Sequence, residues 1–239
     1  MSERAPLPAG GNTAARLVSI QVGRVRTHTV AAIPGHDERE WRTAYFKDAV
    51  AGSVHCGRLG LDGDEQYDHA HHGGPHRAIL GYAAGHYPLW RAELGLDEMG
   101  PGAFAENLTI GGQDESTVCV GDTYAIGPVR LQVSQPRGPC ANISRRWQRP
   151  ELLKRVAETA RFGWYLRVLE EGDIAAGLAV ELVERPHPEL NVAFVFRLRS
   201  QPRLDPAAIA RLARCPELTP ELRDKFATQL ATLETRGDS

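Results

Sequence analysis

LQVSQPRGPCAN, residues 131–142, is the stretch on which the reading of this chain turns. Leu131 and Val133 alternate with Gln132 and Ser134, the period of a strand with one buried face. Pro136 stops it, because proline can neither donate to a ladder nor follow a residue held in helical geometry. The strand delivers its end into a rigid turn. There Arg137, Gly138 and Pro139 lead directly to Cys140, so a thiol lies near a guanidinium on backbone that two prolines restrict. A nearby positive charge favours thiolate, the form that acts as nucleophile or metal ligand; without one, a single cysteine is a small buried hydrophobe.

Just upstream, Val118-Cys119-Val120 and Tyr124-Ala125-Ile126 read as two short strands about a tight turn at Gly121-Asp122. Downstream, Pro150 opens a helix with Leu152, Leu153, Val156 and Ala160 on one side, and Gly163 ends it. Strands over residues 164–169 and 178–183 follow, joined by a turn at 170–173. Nearer the N-terminus, residues 17–22 alternate as a strand, with 24–30 its continuation or hairpin partner, and 41–50 is extended, with Lys47 among aromatic neighbours. Residues 53–74 form a loop dense in glycine, acid and histidine. A helix begins near Gly85 and carries Tyr87, Trp90 and Leu94, and residues 104–110 are extended again. Asp62, Asp64, Asp68, His69, His71 and His72 are all metal-ligating types, yet their spacing matches no zinc motif. Hydrogen bonding that holds the glycine-rich turn is the preferred reading.

The chain has 239 residues, a formal charge of −2 and four cysteines with no CxxC pair. That is enough for one core without staples, and it suggests neither a zinc ribbon nor an iron–sulfur cluster. The charge argues against a nucleic-acid polymer as partner. No 18 apolar residues run together, and the N-terminus lacks a signal-peptide core, so the expectation is a cytoplasmic protein with no membrane association. Residues 1–15 read as a flexible tail. Arg185-Pro186-His187-Pro188 reads as a linker, dividing a domain over 16–186 from a helical one over 187–239. In the latter, Asp205-Pro206 and Thr219-Pro220 open two helices. Residues 191–200 favour a strand locally, but a third helix is the consistent assignment.

Five segments resemble the MOSC family in order and spacing, and its YiiM-like branch most: GLDGDEQYDHAHHGGPHRAIL (60–80), HYPLW (86–90), GAFAENLTI (102–110), VGDTYAIG (120–127) and VSQPRGPC (133–140). The resemblance spans about 20–183, and the tail is similar to the three-helix domain that follows MOSC in that branch. It implies an α+β, mainly β fold: a MOSC-type β-barrel with peripheral helices, plus a small C-terminal all-α domain. It also implies the molybdenum cofactor, with Cys140 as the thiolate ligand to molybdenum. Arg137, Arg77 and Lys47 are candidates for the pterin phosphate, together with the N–H groups of Gly73-Gly74. His72, Glu106, Asn107 and Gln135 are candidates to hydrogen-bond pterin or substrate, and Glu106 or His72 to give a proton. The activity implied is reduction of N-hydroxylated compounds, such as hydroxylaminopurine-type base analogues, with electrons from a separate reductase. The alternative is a cofactor or sulfur carrier or sensor without turnover. The C-terminal helices either dock on their own domain, form a homodimer or engage a redox partner.

Overall fold

The computed structural model describes residues 14–32, 39–68 and 73–237. Residues 1–13 of the expected tail, and His69, His71 and His72, lie outside these. In chain order the elements are β1 (Arg16–Val22), β2 (Arg26–Val30), β3 (Arg39–Thr43), β4 (Asp48–Ala49), β5 (Ser53–Gly57), β6 (Gly60–Leu61), β7 (Ile79–Ala83), α1 (His86–Leu94), β8 (Leu108–Gly111), β9 (Thr123–Ile126), β10 (Val129–Pro136), α2 (Asn142–Trp147), α3 (Leu152–Thr159), β11 (Trp164–Glu170), β12 (Gly172–Ala175), β13 (Glu181–Glu184), α4 (Val192–Leu198), α5 (Pro206–Leu212) and α6 (Pro220–Gly237).

Alternation builds the central strand. Along β10, Val129, Leu131 and Val133 are fully buried while Arg130 and Gln132 are half-exposed. A bulge between Val133 and Gln135 then turns Ser134 inward, where its hydroxyl donates to the carbonyls of His76 (2.6 Å) and Tyr165 (3.1 Å). β10 sits inside an eight-stranded sheet of order β13-β9-β10-β11-β7-β8-β1-β4, antiparallel except for β7 with β8. The parallel pair requires a crossover, and α1 with the loop after it supplies that. The sheet curls until its ends meet: Leu17 N donates to Leu178 O (2.9 Å) and Val180 N to Ala15 O (2.9 Å), tying β1 to the segment that enters β13. Trp90, Trp164, Tyr82, Phe104 and Phe162 fill the interior, the Trp90 indole N–H donating to Tyr82 Oη at 2.7 Å.

Several expectations are corrected. β2 neither extends β1 nor pairs with it; it pairs with β3 in a separate hairpin. The 53–74 loop contains β5 and β6, which with β12 make a three-stranded sheet where Val54 and Cys56 point inward. Residues 118–120 are not a strand, because Cys119 makes an isolated bridge to Asn191 instead. Residues 177–180 are spent on β1, so the last strand of the sheet begins at Glu181. Of the extended 104–110 only the part from Leu108 is a strand, and α2 was not foreseen. A second apolar cluster lies in the C-terminal helices, around Leu190, Val195, Leu198, Ile209, Leu212, Leu218 and Phe226, and it takes in Val120 from the sheet domain. No helix among the described residues is long and apolar enough to cross a membrane.

Candidate active site

Pro136 pairs with Trp164 as the last rung of β10, and Arg137 N donates to Gly163 O at 3.1 Å, so the turn that follows is anchored at its first residue. Cys140 lies at the far end of that turn, where Ile143 N donates to its carbonyl (3.0 Å) as α2 begins. Its side chain, half-exposed, lines a cleft of about 610 Å³. Trp41 and Tyr45, Lys47, the 64–68 segment, Gly73, Arg77, Asn107, Arg137, Arg145 and Tyr165 supply most of the remaining wall.

Arg137 is 3% exposed, and its Nη1 donates to the Phe104 carbonyl at 2.6 Å. It faces the Tyr45 hydroxyl, whose ionisation burial pushes up to about 12; burial also raises Tyr165. Both phenols therefore stay protonated at neutral pH and can donate hydrogen bonds. The Tyr45 hydroxyl and the Arg137 guanidinium interact with each other, and among the described residues Tyr45 Oη and buried Arg137 Nε have no further hydrogen-bond partner. Such atoms cost free energy unless something satisfies them, so donors aimed into a cleft mark a place for an acceptor-rich ligand. Burial raises the other thiols, Cys56 to about 12 and Cys119 and Cys215 to about 11. Of the four cysteines, Cys140 is the one on the cleft wall.

The cleft's charge is mostly guanidinium. Lys47 forms a buried ion pair with Asp64; burial lowers its ionisation and the carboxylate opposes that. Asp64 also accepts from Gly23 N (2.8 Å) and Asn107 Nδ2 (2.9 Å), and Glu65 accepts from Val25 N (2.7 Å). The wall carries four guanidiniums, Arg42, Arg77, Arg137 and Arg145, against Asp64, Glu65 and Asp68, with Arg77 also 3.9 Å from Glu221, so basic groups outnumber acidic ones there. Arg145 lies over Trp41 (5.1 Å) and Arg146 over Phe46 (4.3 Å), so α2 packs its guanidiniums on the aromatic rings of the 41–46 segment.

The MOSC domain model matches residues 68–181, and that of the YiiM-like, 3-alpha helix domain matches 192–233. This chain belongs to the MOSC family. YiiM of Geobacillus stearothermophilus is 33% identical with a TM-score of 0.73, covering 90% of this chain and 99% of that structure. YiiM of Escherichia coli is 36% identical over 146 residues, 60% of this chain and 65% of that protein. A protein of Gibberella moniliformis named "Reductase" is 37% identical over 222 residues, 90% of this chain; the chain spans only 36% of that longer protein.

In this MOSC chain Cys140, Arg137, Arg77, Lys47, Gly73 and Asn107 come together on the cleft. Gly73 and Gly74 both have positive φ (82° and 78°), as a glycine turn requires, but Gly74 is not on the wall. His72 lies outside the described residues. Two candidates are placed elsewhere. Glu106, fully buried, takes N–H donors from Gly102 (2.6 Å) and Phe104 (3.1 Å) and the hydroxyls of Thr109 (3.0 Å) and Tyr87. It holds the turn at Ala105, a non-glycine residue at φ 59°, and is not on the cleft wall. Gln135 Oε1 accepts from Thr219 Oγ1 (2.6 Å), tying the sheet to the C-terminal helices. Tyr45, Trp41 and Arg145 were missed, although the aromatic-basic alternation WRTAYFK at 41–47 is a signal for the first two.

Proposed function

We propose that this protein is a molybdenum-cofactor-dependent reductase of N-hydroxylated compounds, with Cys140 as the protein ligand to the metal. One observation carries it: a half-exposed cysteine on the wall of a guanidinium-rich cleft, beside the buried Tyr45–Arg137 pair, which has donor capacity to spare. The donor set fits the group. A thiolate is a soft ligand for molybdenum, the Tyr45 O–H and Arg137 Nε–H suit the acceptors of a pterin, and Arg77 and Arg42 suit its phosphate. Bound there, the cofactor supplies the two-electron chemistry, for which the balance is R–NHOH + 2e⁻ + 2H⁺ → R–NH₂ + H₂O. The chain's own residues bind and orient: Arg137, locked on the Phe104 carbonyl, fixes the Cys140 turn, and Trp41 offers an aromatic surface against which a purine ring can pack. Electrons come, in this reading, from a separate reductase. The fungal relative's name supports a reductase as well.

The test is metal analysis of protein made in molybdenum-replete cells, followed by assay with a chemically reduced dye and a hydroxylaminopurine. The unaltered protein is expected to carry molybdenum and form the amine. Cys140→Ser should lose both, to background, with an unchanged far-UV spectrum. Molybdenum bound without any turnover would replace the enzyme with a carrier; molybdenum retained in full by Cys140→Ser would remove the proposed ligand.

A further inference from the structure

A second cluster of metal-ligating atoms lies away from the cleft, where the linker meets the helical unit. His187 Nε2 is 3.1 Å from Glu217 Oε2 and 3.6 Å from Cys215 Sγ, and Cys215 Sγ is 3.2 Å from the same carboxylate oxygen. One nitrogen, one sulfur and one oxygen thus form a nearly equilateral triangle. Zinc binds sulfur at about 2.3 Å and nitrogen or oxygen at about 2.0–2.1 Å, so tetrahedral ligands sit roughly 3.3–3.5 Å from one another. The three edges, 3.1, 3.2 and 3.6 Å, lie within about 0.2 Å of that range, so small side-chain shifts bring the three atoms onto one face of a tetrahedron. We infer that His187, Cys215 and Glu217 bind a zinc ion that clasps the linker to the turn between α5 and α6, with water in the fourth position.

The surroundings support a built site. Cys215 is 3% exposed, while His187 and Glu217 side chains are 27% and 22% exposed, so an ion can enter from one side and keep a water there. Gly121, at φ +82°, closes another side: a Cβ on it would come within 2.8 Å of Pro186 Cγ, 3.1 Å of Glu217 Cγ and 3.3 Å of His187 Cδ2. Arg167 Nη2 donates to the Glu217 backbone carbonyl at 2.7 Å, which fixes the turn and leaves the carboxylate to the cluster. Without metal a single oxygen of Glu217 serves both the thiol and the imidazole. With zinc all three atoms gain a bond, the thiol proton leaves to solvent and the imidazole binds neutral. Linker and turn are 28 residues apart in sequence, and the clasp closes that loop.

The experiment uses the full chain, exposed to Zn²⁺ and then dialysed, with Co²⁺ as a spectroscopic substitute. The unaltered protein and Cys140→Ser are both expected to retain one zinc per chain at this site. Cys215→Ser and His187→Gln should retain none there. Cobalt should give the visible bands of a tetrahedral ion and a near-ultraviolet thiolate charge-transfer band that Cys215→Ser abolishes. Zinc should raise the thermal midpoint of the unaltered protein and of Cys140→Ser, but not of Cys215→Ser or His187→Gln. No zinc held by the unaltered protein, its loss in Cys140→Ser, or retention by either of the other variants would overturn the inference. Should Cys215→Ser fail to fold, His187→Gln at the half-exposed edge decides alone. Because the Cys140→Ser arm removes the other candidate sulfur ligand, failure here is distinct from failure of the reductase reading.

Discussion

Glu106 and Cys140 are both flanked by the family-like motifs, but the structure gives them opposite environments. Cys140 meets a cleft, whereas the Glu106 carboxyl meets four donors from the 102–109 segment and Tyr87. Glu106→Gln replaces one acceptor oxygen by an NH₂ that points at N–H and O–H groups. The expected cost is roughly 3 kcal/mol, since buried donors lose a charged acceptor, or about 6–12 °C in a chain of this size. Differential scanning calorimetry would measure it. Turnover per bound molybdenum should show none of the roughly 10²–10⁴-fold fall, and none of the altered pH profile, that follow loss of a proton donor. A normal midpoint with collapsed turnover would return Glu106 to catalysis. Sequence cannot separate these outcomes: a polar residue between apolar ones looks the same whether it faces a ligand or a buried turn, and Gln135 illustrates the same ambiguity by facing Thr219.

Among the elements, α1 is held to α3 and to the entry of β11 by one carboxylate. Glu93 accepts from Arg161 Nη1 at 2.6 Å and Arg155 Nη2 at 3.1 Å, and the Arg161 bond, then the Arg155 bond, lowers its ionisation against the effect of burial. A carboxylate whose folded value is depressed stabilises the fold fully above its unfolded value near 4.5, and that support is lost as pH falls through the lower folded value. The thermal midpoint of the unaltered protein should therefore drop more steeply than that of Glu93→Gln as pH is taken below 4.5; parallel curves would show that the clamp does nothing. Elements with a strong period or cap were legible. β10 alternates, α3 buries Leu152 and Val156 at helical spacing, and α5 starts where Asp205 accepts from Ala208 N (2.8 Å) ahead of Pro206. What escaped has too little local signal. β6 has two residues, β5 has two inward side chains among glycine and polar groups, and β13 is exposed throughout. α2 has six residues, and contacts from elsewhere hold it: Arg145 and Arg146 on aromatic rings, and Ser144 Oγ accepting from Leu153 N (3.1 Å).

For the whole molecule, the question raised by the 185–188 linker is whether the helical unit unfolds by itself. The two apolar clusters exchange members: Val192 of α4 is packed into the sheet domain's core, and Val120 of the sheet domain into the helical one. Phe196 packs against Phe162 in a tilted pair with ring centroids 4.1 Å apart, and polar ties cross the same seam through Arg167 to the Glu217 carbonyl (2.7 Å) and Thr219 to Gln135. Opening the seam would expose both clusters and break the Arg167 bond, so separate unfolding costs each part some of its own core. All four tryptophans, Trp41, Trp90, Trp147 and Trp164, precede the linker, so their fluorescence reports the sheet domain alone, while far-UV circular dichroism includes α4 to α6. In urea the two signals are expected to fall along one superimposable transition. Arg167→Ala should move both midpoints together, by an amount equivalent to about 1–3 kcal/mol. If ellipticity is lost at lower urea than fluorescence, the seam does not couple the two parts, and the linker separates independently stable units.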